Sequence, residues 1–121
     1  INYTVFAILY FVYYREQCTQ SDICTFWGFA KQTVSTQCNE LMDKGILSIV
    51  QDDGNRRRKI LTLTEQGRAY ARPFVEPVRT AETAAFQSLG EELGRKLVEG
   101  TEKFYVALAA ALTGSDKDKA V

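Results

Sequence analysis

The stretch that decides the fold is residues 32–64, QTVSTQCNELMDKGILSIVQDDGNRRRKILTLT. Its first part reads as a helix. Val34, Cys38 and Leu41 recur at i, i+4 and i+7 and make one apolar stripe. Gln32, Thr36, Asn39 and Asp43 lie opposite, with Ser35 on the flank, and Gly45 ends the helix. The next residues carry the aliphatic and β-branched content of two strands, Ile46–Val50 and Arg58–Leu63. Asp53-Gly54 between them is a dipeptide that closes hairpins. The two strands alternate imperfectly, so the pattern does not fix their register. Arg56, Arg57, Arg58 and Lys59 crowd the hairpin tip of a chain whose formal net charge is zero.

Working upstream, Ala30 is a weak cap for the helix that begins at Lys31. Thr19-Gln20-Ser21-Asp22 reads as a capping box with Asp in the acidic position. The short helix behind it should reach Phe26 or Trp27, with Gly28 taking the left-handed residue at its end. Two helices separated by about three residues with Gly in the turn form a helix-turn-helix. Asn2 can cap an earlier helix over Tyr3–Arg15, apolar on almost every side and so buried on both faces.

Downstream, Thr64 should start a long helix with Glu65 in its first turn, where the dipole favours an acid. Pro73 and Pro77 should kink or interrupt it before it ends near Ser88. A final helix is expected from Gly90 to about Leu112. Leu93, Leu97, Thr101, Phe104 and Leu108 form its stripe, and Gly94 and Gly100 each weaken it by about 1 kcal/mol relative to Ala. The tail from Gly114, GSDKDKAV, reads as frayed. The predicted fold is mainly α with a small β-hairpin (α+β). A winged helix-turn-helix occupies residues 1–72 (helix 1–15, helix-turn-helix 19–44, wing 46–63). A long kinked helix and a C-terminal helix fill 73–121.

The chain has 121 residues, enough for one domain with a small core that a partner subunit would help to bury. It opens on Ile1 and an apolar run, and is expected to lack its true N-terminus. Charge is uneven: Leu41–Arg72 holds seven Lys/Arg against four Asp/Glu, and Pro73 onward holds six against eight. The middle is therefore the part suited to an anionic partner. Three cysteines, no CxxC and no His argue against zinc and against any cofactor. They fit a reducing cytoplasm. Cys38 and Cys24 read as small core hydrophobes, and Cys18, in a turn, as the exposed one. The run Ile1–Tyr14 is too short to span a bilayer and contains four Tyr, so no membrane role is expected. No basic leader or cleavage site accompanies it.

A helix followed by a ribbon is a shape suited to duplex DNA. The major groove, roughly 12 Å wide, admits a helix, and the ribbon reaches the adjacent backbone or minor groove. Lys31, Gln32, Ser35, Thr36 and Asn39 are donors and acceptors placed to meet base edges or phosphates. Thr33 is read either as a phosphate contact or as a hydroxyl bonded to its own helix. Asn55, Arg56, Arg57, Arg58 and Lys59 form the wing's share of the surface. A rival reading is a winged helix whose arginines meet an acidic protein. An enzyme is not expected, because no His, no G-x-S-x-G and no glycine-rich phosphate cradle is present.

The span TQSDICTFWGFAKQTVSTQCNELMDKGIL, residues 19–47, resembles without gaps the helix-turn-helix of the MarR-type transcription regulators. That family's wing motif, D-x-R-x-x-x-L-x-L-T, is matched by Arg57, Leu61, Leu63 and Thr64, followed by EQG, with Asn55 in place of the Asp. Asn55 cannot form the ion pair that the family's Asp can, and Asp52 and Asp53 are the neighbours able to substitute. The resemblance implies a DNA-binding regulator, a repressor, with Arg57 entering the minor groove. It implies a homodimer through the first and last helices. Ile1–Arg15 looks like the family's second helix, so the first is expected to be missing here. Two recognition helices about 34 Å apart would then read an inverted-repeat operator. Related regulators bind small aromatic effectors. Tyr10, Phe11, Tyr13, Tyr14, Trp27 and Phe74 are read either as plain core or as such a pocket, with Tyr13 and Trp27 as its lining.

Overall fold

The computed structural model describes residues 1–120, with side chains described through Gly114. The expected fraying beyond Gly114 lies outside the residues so described. Five helices and two strands follow in order: α1 (Tyr3–Tyr14), α2 (Gln20–Trp27), α3 (Lys31–Asp43), β1 (Leu47–Asp52), β2 (Asn55–Leu63), α4 (Glu65–Ser88) and α5 (Gly90–Ala120). The chain divides into two compact units, Ile1–Arg79 and Thr80–Val121.

The caps explain where the first helices begin and end. Asn2 Oδ1 accepts from the Val5 N–H at 2.9 Å and opens α1. Thr19 Oγ1 accepts from the Asp22 N–H at 3.2 Å, and Asp22 Oδ2 accepts from the Thr19 N–H at 3.0 Å. This reciprocal box satisfies two otherwise orphaned donors. Gly28 closes α2 at φ 73°, where a Cβ would be strained. Ala30 caps α3 with no side-chain bond.

The core of the first unit gathers the apolar stripes of all these elements. Ile8, Leu9, Phe11 and Val12 of α1 meet Ile23 of α2, Val34, Cys38 and Leu41 of α3, and Leu47 and Leu61 of the hairpin. Ala71 and Val75 of α4 complete it. Cys18 also belongs to this core, against the expectation of exposure. Its backbone forms a one-residue antiparallel bridge with Leu61, whose N–H donates to the Cys18 carbonyl at 2.8 Å. The bridge adds a third strand position beside β2 and turns the thiol inward.

The hairpin is regular from Leu47↔Leu63 to Gln51↔Lys59 and then jumps to Asp52↔Asn55. Arg56, Arg57 and Arg58 are the excess residues on β2, which is why alternation alone could not set the register. An irregularity of this kind leaves ladder groups unpaired and re-aims side chains. Here the groups find substitutes. Gln51 Nε2 donates to the Arg56 carbonyl at 2.9 Å, and Asn55 Oδ1 accepts from the Arg57 N–H at 3.0 Å.

The junction between hairpin and α4 is tightly made. The Thr64 N–H donates to the Ile46 carbonyl at 3.0 Å. Thr64 Oγ1 donates to the Gly45 carbonyl at 2.6 Å and accepts from the Gly67 N–H at 2.8 Å. Gly67 itself is buried with its Cα against the Ile46 backbone. Past this junction α4 continues through both Pro73 and Pro77, where an interruption was expected. Both prolines lie on the exposed side of the helix, where water can bond the carbonyls they leave free.

In the second unit, the end of α4 and α5 meet at Gly90, φ 82°. Gly94 faces the Phe86 ring, which an added Cβ would approach to 3.2 Å. The expected stripe on α5 is present and exposed: Leu93, Leu97, Phe104 and Leu108 are among the large apolar side chains open to solvent.

Candidate nucleic-acid interface

One groove of about 650 Å³ brings α3 and the wing together. Lys31, Ser35 and Asn39 of α3 line one wall, and Arg57, Arg58 and Lys59 of the wing line the other. Thr19, Gln20 and Ser21, at the start of α2, close one end, and Met42, Ile49 and Leu61 provide the apolar part of the lining. The sequence reading gives Thr19, Gln20 and Ser21 a capping role and no place in the interface. Their capping box was the available signal, because it places a helix start beside the following helix.

Gln32, Thr33 and Thr36 stand exposed on α3 but do not line this groove. The Gln32 amide lies 3.5 Å from Thr36 Oγ1, one turn further along. Ser35 is half-buried, as its place on the flank of the stripe requires. On the wing, Asn55, Arg56, Arg57 and Lys59 are exposed and Arg58 is half-buried. Arg58 differs from its neighbours because its guanidinium is engaged: Nη1 lies 3.3 Å from Asp52 Oδ2, and Nη2 donates to the Gln17 carbonyl at 2.9 Å. Asp52 is thus the acid that finds an arginine at the wing, while Asn55 holds the Arg57 backbone.

The two residues named for an effector pocket are not brought together. Trp27 packs edge-on against Tyr3 at the start of α1, with ring centroids 6.2 Å apart. Its Nε1 is buried with no hydrogen-bond partner among the described residues. Tyr13 sits near the other end of α1. Its hydroxyl donates to Glu76 Oε1 at 2.6 Å, and the Arg68 guanidinium lies 4.5 Å over its ring. Arg79 lies 4.1 Å over the ring of Tyr14. This face of α1 is therefore occupied by α4 side chains between Arg68 and Arg79.

Cys18 and Cys38 are held in their neutral form. Burial, reinforced by the nearby Cys18 and Cys24, pushes the Cys38 thiol up to about 12. Burial also raises Cys18, with Asp22 adding to it, against weaker opposition from its own backbone hydrogen bond and Arg15. Unfolding releases both thiols to ionise at their ordinary value, so the unfolded state binds fewer protons above about pH 9. Stability should then fall as pH rises from about 9 towards 12, by up to about 1.4 kcal/mol per pH unit for Cys38. Denaturant titrations at pH 8 and pH 10 check this, and a flat response would contradict the buried placement. At pH 8, alkylation of the native chain should reach half-buried Cys24 first.

Residues 1–58 match the model of the MarR family. The match takes in the helix-turn-helix and runs into the wing. The whole chain has the winged-helix fold of MarR regulators. It is similar to a MarR family regulator from Neisseria meningitidis at 29% identity and TM-score 0.81, covering 95% of this chain and 81% of that one. It is similar in fold to Streptococcus pneumoniae FabT, solved in complex with DNA, at 22% identity and TM-score 0.63, covering 92% and 78%. It is similar in fold also to Bordetella bronchiseptica BpsR, whose DNA binding is regulated by 6-hydroxynicotinic acid, at 21% identity and TM-score 0.59, covering 87% and 75%. No curated protein is significantly similar to the chain in sequence. Among the described residues, no helix is long and apolar enough to cross a membrane.

Proposed function

We propose that this chain is a DNA-binding transcriptional repressor that reads a pseudo-palindromic operator as a homodimer. The observation that carries the reading is the shared groove: an uncapped polar helix and a cationic ribbon face the same space. Lys31, Gln32, Thr33, Ser35, Thr36 and Asn39 meet base edges and nearby phosphates, and Arg56, Arg57 and Lys59 hold the flanking backbone or minor groove. A regulator of this fold bound to DNA, FabT, supports the same use of the surface.

Dimerisation is supported by α5. Leu97 and Phe104 on its stripe are 51% and 67% exposed, and a contiguous apolar face of this kind normally meets a partner. A second copy would supply it, with any helix preceding Ile1 joining the contact. The two-fold symmetry then sets half-sites about one helical turn apart. Release by a small aromatic effector is supported by the regulated BpsR, and would act by changing the spacing of the two recognition helices.

A salt titration of binding to duplex DNA tests the reading. Log affinity should fall steeply and linearly with log salt, because each neutralised phosphate releases counterions. A flat dependence, with tight binding to an acidic protein, would favour the interaction-module alternative. Specificity has its own check. Gln32→Ala and Thr36→Ala should each relax base preference by about 1–3 kcal/mol at one position, leaving the salt slope unchanged. Competition between a selected duplex and a scrambled one measures that loss.

A further inference from the structure

Four consecutive cations on one hairpin invite a common role, but the geometry separates one of them. Arg58 is tied at both terminal nitrogens to protein acceptors. Asp52, 3.3 Å away, is six residues earlier, at the end of β1. Gln17, whose carbonyl is 2.9 Å away, lies in the loop between α1 and α2. Gln17 has φ 57°, a left-handed conformation that costs a non-glycine residue about 1 kcal/mol and so must be held by its surroundings. The neighbouring Cys18–Leu61 bridge holds it from one side and the Arg58 guanidinium from the other.

We infer that Arg58 is a positioning residue, a clamp that fixes the wing tip to the α1–α2 loop and so aims Arg57 and Lys59. The inference rests on the DNA-binding reading above and refines it. Three physical points carry it. Two of the five guanidinium N–H donors, one on each terminal nitrogen, are committed to protein acceptors on different segments, which fixes the plane and direction of the fork. The Asp52 carboxylate neutralises it at a distance, so the pair adds little attraction for a polyanion. The clamp also spans the part of β2 where the ladder fails, between Lys59 and Asn55, which has no regular pairing to keep it in place. A planar fork reaches two acceptors at once, and an ammonium on a flexible stem does not reproduce that.

The opposed reading, a direct phosphate contact, makes predictions of opposite sign. Binding of a fluorescent mixed-sequence DNA duplex is measured for the wild type, Asp52→Asn, Arg58→Lys and Arg58→Ala. If Arg58 is a clamp, Asp52→Asn weakens binding about three-fold or more, although it removes a negative charge beside the DNA. Arg58→Lys then fails to restore what Arg58→Ala loses, and adding Asp52→Asn to Arg58→Ala costs nothing further. If Asp52→Asn tightens binding or leaves it unchanged, or if Arg58→Lys restores it, the clamp is overturned. A second arm uses the free protein. Amide exchange at Arg57 and at Leu61, whose N–H donates to the Cys18 carbonyl, should rise in both Asp52→Asn and Arg58→Ala, and unchanged exchange overturns the clamp. Failure of the wild type to bind duplex would sink the DNA reading alone, because the exchange arm still decides the clamp.

Discussion

Gly67→Ala should destabilise the protein by about 3 kcal/mol, although alanine is the better helix former. By propensity alone, the substitution within α4 would be worth about 1 kcal/mol in the opposite direction. What decides the sign is the space around Gly67. A Cβ built there would overlap the Ile46 carbonyl oxygen and lie 2.7 Å from its carbon and 3.0 Å from the Ile46 Cα. These are backbone atoms, so no rotamer change relieves the overlap. The Ile46 carbonyl already accepts from the Thr64 N–H, and moving it strains the contact between α3 and α4. Overpacking a filled site costs about 1–3 kcal/mol, and a rigid backbone neighbour puts this case at the upper end. Denaturant unfolding should show a lower midpoint with an unchanged slope. A midpoint equal to or above wild type would mean that the first turn of α4 does not rest on Ile46.

Arg57→Ala should weaken binding to every duplex by about 1.5–3 kcal/mol, about ten- to a hundred-fold, with little change in sequence preference. Its guanidinium is exposed and forms no ion pair among the described residues, while its backbone N–H is held by Asn55. The side chain is thus free to reach outward from a fixed root. Losing one phosphate partner should also flatten the log–log salt slope by about one unit. Titrations at several salt concentrations read affinity and slope together. An unchanged slope with lost affinity would place Arg57 on a base edge, and no change in either would remove the wing from the interface.

Much of the fold was legible because local signals were strong. The Thr19–Asp22 box, the stops at Gly28 and Gly45, and the Val34–Cys38–Leu41 stripe each follow from one or two residues and their spacing. The facing of α3 and the wing followed from the order of elements alone. Other features depend on partners distant in sequence. The burial of Cys18 comes from a single bridge to Leu61, which has no periodicity to reveal it. The hairpin register hides behind three excess residues that look like strand. The distinction between Arg58 and its neighbours needs Gln17, forty-one residues away. Tyr13 and Trp27 both lie on or against α1, yet helical rise puts them near opposite ends. Pro73 and Pro77 read as breakers because sequence does not show that both face outward.

The three-residue excess on β2 has an evolutionary corollary. Below the Gln51–Lys59 pair the two strands are matched one to one, so Leu47 and Leu61 keep their inward phase whatever happens further out. Length changes at the extremity can be absorbed there without flipping a single core residue to the wrong side. The reach and chemistry of the tip can therefore drift from lineage to lineage while the scaffold beneath stays the same.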